Sequence, residues 1–240
     1  MLFFISLLTF ILVIGFLWFI VPFALRKIET HRLTKLCAQK RAIVLTYDDG
    51  PSQALTTPLA NLLKSRGAIA TFFIIGREAL LSPDGVTRLK TDGHEIGSHT
   101  LNHLNAWKTH PLASVNDIRS GNEALTTLGA PTQLFRPPFG KTTFATLLYG
   151  LSKRLRFAYW TVDSRDSWNR KPIEEVVSEI KAQGGGVVLM HDFDLPKRGP
   201  SPENHADYVL NLTSAILDLA EQSSYSILHF NALFEKEISA

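Results

Sequence analysis

Five short polar runs each follow an apolar run in this chain, and their residue types suit hydrolytic chemistry. They are Thr46-Tyr47-Asp48-Asp49-Gly50-Pro51-Ser52, Ser98-His99-Thr100-Leu101-Asn102-His103, Arg136-Pro137-Pro138-Phe139-Gly140, Asp163-Ser164-Arg165-Asp166-Ser167-Trp168 and His191-Asp192. Adjacent carboxylates at 48 and 49 repel unless a cation lies near one of them. Asp-Gly-Pro-Ser is also ordinary turn chemistry, and taken alone it favours a turn. His99 and His103 are four apart, so on one helical turn their rings share a face. Two histidines and one carboxylate make a facial metal site with open positions for water and substrate. An isolated pair of this spacing is more often two solvated side chains on a polar loop. Two prolines fix the backbone after Arg136, so that guanidinium is aimed rather than mobile. His31, His94, His110, His205 and His229 show no such pairing and read as structural or solvated.

These runs need elements that bring them together. Strands are predicted over Ala42–Tyr47, Ile69–Ile75, His94–Ser98, Gln133–Arg136, Phe157–Val162, Gly186–Met190 and Tyr225–Leu228. Several are rich in Ile, Val and Phe without polar alternation, as in parallel strands covered on both faces. Helical stretches fall between them, at 55–66, 83–92, 111–128, 142–154, 172–183 and 203–222. Strands alternating with helices argue for an α/β barrel or a doubly wound sheet. Either architecture collects its chemistry at the C-terminal ends of the strands, where all five runs fall.

In order and spacing, the five runs resemble the NodB-homology polysaccharide deacetylases of carbohydrate esterase family 4. TYDDGPS, SHTLNH and LMHD are the specific motifs, RPPFG fits well, and the resemblance extends from about Ala42 through nearly all that follows. It implies a distorted seven-stranded (β/α) barrel and hydrolysis of N-acetyl groups from amino sugars. It further implies that Asp49, His99 and His103 bind a divalent metal, usually zinc in the family, with cobalt or nickel as substitutes. Asp48 is then the general base and His191 the general acid. Arg136 holds Asp48, Asp163 pairs with His191, the Phe139 N–H stabilises the oxyanion and Leu189 lines the acetyl pocket. The metal polarises the amide and acidifies the attacking water, and the acid protonates the leaving amine. The fourth motif departs from the family's Asp-x-x-Asp-Trp, because Ser167 separates Asp166 from Trp168. A relative removing an O-acetyl or N-formyl group is one alternative reading. A non-catalytic, membrane-tethered glycan-binding module is another, and the full occupancy of the catalytic positions argues against it.

Residues 1–25 carry no charged side chain, long enough for a membrane span. No Lys or Arg precedes this run, unlike a cleaved signal peptide. Residues 26–41 carry six positive and one negative groups, leaving 19 positive and 21 negative over 42–240. The net charge of +3 is thus a basic stem placed to meet anionic lipid headgroups, and nothing in the remainder suggests a nucleic-acid partner. The expected organisation is an anchor (1–25), a basic juxtamembrane linker (26–41) and one catalytic domain (42–240). The expected partner is an N-acetylated glycan, lipid-linked or close to the membrane. Basic residues after the span favour a cytoplasmic domain by charge asymmetry alone. The single cysteine, Cys37, excludes an intramolecular disulfide, and the oligomeric state is not encoded in any motif.

Overall fold

The computed structural model describes residues 9, 13, 15–193 and 204–235. Its centre is a parallel sheet of β1 (Ala42–Asp48), β2 (Thr71–Ile74), β3 (Glu95–Ser98), β4 (Leu134–Phe135), β5 (Arg156–Phe157), β6 (Val162–Asp163), β7 (Gly186–His191) and β8 (Ser226–Ile227). The main path runs β5-β4-β3-β2-β1-β7-β6, with β8 against the start of β1. The sheet curls into a half-barrel of seven strands whose ends, β5 and β6, are not hydrogen-bonded to one another.

Alternation along the strands sorts the side chains. Ile43, Leu45 and Tyr47 of β1, Phe72 and Ile74 of β2, and Val188 and Met190 of β7 face the surrounding helices. That layer contains α2 (Thr56–Ser65), α3 (Gly76–Leu81), α4 (Pro83–Thr91), α5 (Pro111–Thr127), α6 (Phe144–Ser152), α7 (Ile173–Gln183) and α8 (His205–Ser223). The opposite parity, Val44, Phe73 and Val187, packs with Leu33 and Cys37 of a long helix, α1 (Val21–Lys40), which follows a π-helical turn at Phe16–Ile20. Thr46 and Asp48 continue the parity of Val44, and Leu189 and His191 that of Val187. The same alternation that plugs one end of the concave face with apolar groups therefore lines the other end with chemistry.

Three expectations change. The predicted fifth strand is two short ones, β5 and β6, because residues 158–161 leave the sheet where it opens. Helix α3 falls in a stretch read as loop. Residues 26–41, expected as a basic linker, belong to α1 and its cap, and Leu33 and Cys37 are fully buried. Three of the six basic groups of this stretch hydrogen-bond to the domain. Arg26 Nη1 donates to Gly140 O (2.9 Å), Lys40 Nζ to Glu235 O (2.7 Å) and Arg41 Nη2 to Ser223 O (2.5 Å). A 20-residue helix extends about 30 Å, so Lys40 and Arg41 lie far from the apolar N-terminal run. Most of residues 1–14, the bulk of the expected span, lie outside the described residues. Among the described residues no helix is long and apolar enough to cross a membrane.

Candidate active site

Backbone pairing at the strand ends fixes the site. Asp48 sits opposite His191 in the β1–β7 register. Asp49 N–H donates to Phe73 O, His99 N–H to Ile74 O, Arg136 N–H to Ser98 O, and Asp192 N–H to Asp48 O. Each polar run is thus tied to its neighbouring strand at the first residue beyond regular pairing. The Asp-Gly-Pro-Ser segment is more than a turn, since Ser52 Oγ and Thr56 Oγ1 both donate to the Asp192 carboxylate (2.6 Å each). Asn102, between the paired histidines, donates through N–H and Nδ2 to Asp117 Oδ1 on α5 (3.0 and 2.8 Å), and Leu104 N–H donates to Oδ2. Neither Asp117 nor Asp192 was singled out from sequence for this supporting part.

Asp49, His99 and His103 converge, with candidate ligand atoms all within 4.8 Å of one another. Asp49 Oδ1 lies 3.5 Å from His99 Nε2 and 3.4 Å from His103 Nε2. Tetrahedral bonds of about 2.0–2.1 Å hold ligand atoms about 3.4 Å apart, close to both separations from Asp49 Oδ1, so the group suits one cation. His99 Nδ1 contacts Arg136 O at 2.7 Å, which requires the proton on Nδ1 and leaves Nε2 for the metal. Burial, with His103 and Arg136 nearby, holds the His99 ring well below its usual pKa, in the neutral form a ligand needs.

Two buried ion pairs flank this cluster. Arg136, fully buried, donates through Nη1 to Asp48 Oδ1 (2.7 Å) and Thr46 Oγ1 (2.8 Å), with its guanidinium over the Phe73 ring. Burial raises the Asp48 pKa and Asp49 adds to the rise; Arg136 and His191 oppose it, and the balance stands at about 6. On the other side His191 Nδ1 meets Asp166 Oδ1 at 2.7 Å, and His191 N–H donates to Oδ2 at 2.8 Å. Burial disfavours the imidazolium, but Asp166 and the charges of Asp49 and Asp48 outweigh it and lift His191 to about 10. Asp166 itself stays below the usual carboxylate range despite its burial, held there by His191.

The partner of His191 is therefore Asp166, which corrects the expectation for Asp163. Asp163 ends β6, and its Oδ1 accepts from Arg165 N–H in the following turn (2.9 Å). Ser164 Oγ donates to Leu189 O (2.7 Å) and to Asp166 Oδ1 (3.1 Å), turning the chain so that Asp166 points inward. Asp163 lines the cleft instead.

The cleft above these groups has a volume of about 430 Å³, in the range of small-molecule sites. Phe139 and Leu189 line it, and Trp160, Trp168 and Phe193 add aromatic walls. The inserted Ser167 leaves Trp168 on the rim, 68% exposed. Asp49, Thr100, His103, Phe139 and Arg165 all take positive φ, from 55° to 77°, five of nine such non-glycine residues among those described. Left-handed backbone at these residue types costs of order 1–3 kcal/mol each, and its concentration here marks a site held by its surroundings. His205, read as structural, stacks on Phe193 with Nε2 3.1 Å from His191 O.

An Asp-His-His group able to hold a cation, flanked by Asp48 and His191 at the C-terminal ends of parallel strands, is the arrangement of a metal-dependent hydrolase site. Residues 35–158 match the polysaccharide deacetylase family, and the chain belongs to that family. It is 34% identical over 157 residues to a peptidoglycan-N-acetylglucosamine deacetylase of Bacillus cereus, covering 64% of this chain and 73% of that protein. It is 27% identical over 194 residues to a chitooligosaccharide deacetylase of Bradyrhizobium, covering 78% and 88%. A family 4 carbohydrate esterase from Streptomyces lividans, solved with acetate, superposes with a TM-score of 0.66 at 27% identity, covering 78% of this chain and 91% of that one.

Proposed function

We propose that the chain hydrolyses N-acetyl groups from amino sugars of a membrane-proximal glycan, tethered by residues 1–25. The single observation that carries this reading is the convergence of Asp49, His99 and His103 between Asp48, held by Arg136, and His191, held by Asp166. Asp49, His99 and His103 would hold a divalent cation, zinc by the family resemblance, which would supply Lewis acidity to the amide and lower the pKa of a water. Asp48 accepts the proton of the attacking water, its carboxylate held at the edge of the cluster by Arg136. Arg136 keeps Oδ1 occupied, so Oδ2, 3.7 Å from His99 Nε2, faces the cluster. The tetrahedral oxyanion receives the Phe139 N–H, and Leu189 shapes the acyl end. His191 gives its proton to the amine nitrogen as the C–N bond breaks, yielding acetate and a free amino sugar.

The test is release of acid from an N-acetylglucosamine oligomer, an O-acetylated xylan and an N-formyl amino sugar by the purified chain. Turnover fastest on the N-acetyl substrate supports the proposal. Turnover on the ester or formamide alone overturns the N-acetyl assignment and keeps the catalytic machinery.

A further inference from the structure

The course of α1 fixes which way the cleft faces. The helix ends at Arg41, directly before β1, at the barrel end opposite the site. Leu33 and Cys37 fill the concave face, and the N-terminal part of the helix emerges beside the cleft. There Arg26 Nη1 donates to Gly140 O, next to Phe139, and its guanidinium lies 4.8 Å from the ring centre of Trp160, a wall of the cleft. One turn earlier Pro22 is buried, and Phe19 meets Trp107 edge-on at 5.7 Å, on the loop following His103. Trp107 Nε1 donates in turn to Thr142 O, on the loop following Phe139. The uncharged N-terminal run therefore joins the domain at the mouth of the cleft, whereas a linker attached only at β1 would leave it at the far end.

We infer that the mouth of the cleft lies against the headgroup layer of a bilayer, and that the enzyme acts on amino sugars carried by a membrane lipid. This rests on the reading of residues 1–25 as a membrane span. The uncharged run ends at Leu25, so Arg26, the first charged side chain, marks the depth of the headgroup layer. Arg26 Nη1 reaches Gly140 O beside the cleft, and headgroups occupy about 5–8 Å of each leaflet. The mouth of the cleft then stands at the level of the headgroups. A sugar on a lipid phosphate presents its acetamido group at that height, while a remote polymer must slide between protein and bilayer.

The rim has the composition of an interfacial surface. Trp107 and Trp168 are 43% and 68% exposed. Each indole is accompanied by a cation, Lys141 Nζ at 4.8 Å and the Arg165 guanidinium at 5.4 Å. Indoles at headgroup depth with neighbouring cations for lipid phosphates are what a membrane-facing rim requires.

The orientation is read in the full chain reconstituted into vesicles of phosphatidylethanolamine and phosphatidylglycerol. Nitroxide labels go on Lys108→Cys and Asn169→Cys at the rim and on Ser65→Cys at the far end of α2, all exposed positions, while native Cys37 is buried. Relaxation by a lipid-tethered nickel chelate at 108 and 169, at least about fivefold stronger than at 65, is the expected result. Chain that floats with vesicles but shows equal relaxation at all three labels overturns the orientation and leaves the anchor standing. Chain that does not float overturns the anchor and this inference together. The substrate arm compares kcat/KM for N-acetylglucosamine on a polyprenyl phosphate in those vesicles with that for soluble chitotetraose. At least a tenfold preference for the lipid-carried sugar is expected, and equal or reversed preference overturns the substrate assignment. Turnover of neither, with the labels behaving as expected, locates the failure in the deacetylase reading.

Discussion

Asp48 and Asp166 are both almost wholly buried, each with one cation, yet their carboxyls end in opposite states. Asp48 shares Arg136 with Thr46, sits beside a second carboxylate at Asp49 and rises to about 6. Asp166 has His191 donating from both ring and backbone, and falls below the usual range. Burial alone does not decide the charge of an aspartate; the number of donors aimed at it and the sign of its neighbour do. One side of the cleft thereby obtains a carboxylate that exchanges protons near neutrality. The other obtains a permanent anion that keeps an imidazole charged.

Removing the exchangeable side has the largest effect. Asp48→Asn retains the shape and loses the base, and kcat falls by about 10²–10⁴ with the chain still folded, measured by steady-state deacetylation beside circular dichroism. Arg136→Met leaves a buried carboxylate without its cation and destabilises the fold by about 3–5 kcal/mol, read from chemical denaturation. If the comparison holds, the double change Arg136→Met with Asp48→Asn recovers part of that loss, because no buried charge remains.

The permanent anion is probed more gently. Asp166→Asn lowers kcat by about 10–100-fold, as expected for a group that orients and charges another. It also moves the alkaline limb of the pH–rate profile to lower pH, since His191 loses the carboxylate that lifts it towards 10. Asp163→Asn leaves that limb in place. The reverse pattern would return the His191 pairing to Asp163.

A buried histidine away from the cleft gives the smallest effect and the opposite linkage. Burial between Phe72 and its surroundings lowers His94 to about 4, against the stabilising charge of Asp92. Its neutral form is favoured in the folded chain, so the stabilisation is present above about pH 6.5 and is lost as pH falls towards 4. About 2 kcal/mol disappears between pH 7 and pH 5, and a His94→Leu variant lacks that share of the slope in denaturation curves.

Much of the fold and site was legible because the chemistry sits on long apolar strands. β1 and β7 are mostly apolar, and each ends on its polar group, Asp48 or His191. His99 and Arg136 directly follow β3 and β4, and His103 lies four residues beyond His99. What escaped was decided by turns and by packing across the chain. Asp163 and Asp166 lie three apart in one loop, and only the Ser164 turn selects which reaches His191. Helix α1 hid its docking face because Leu33 and Cys37 stand among polar residues, and a basic stretch following an apolar run reads as a linker. The break between β5 and β6 follows from closing a barrel incompletely, a matter of geometry that local hydropathy does not carry.

If one cation on Asp49, His99 and His103 enables the cleft to deacetylate amino sugars, turnover follows that cation. The direct measurement is acetate release from an N-acetylglucosamine oligomer by metal-stripped chain titrated with zinc, beside His103→Ala. No turnover is expected when stripped, with a linear return that saturates at one equivalent. Less than about 1% recovery is expected in the variant at the same zinc. Full activity in the stripped chain, or equal recovery in His103→Ala, would contradict that dependence.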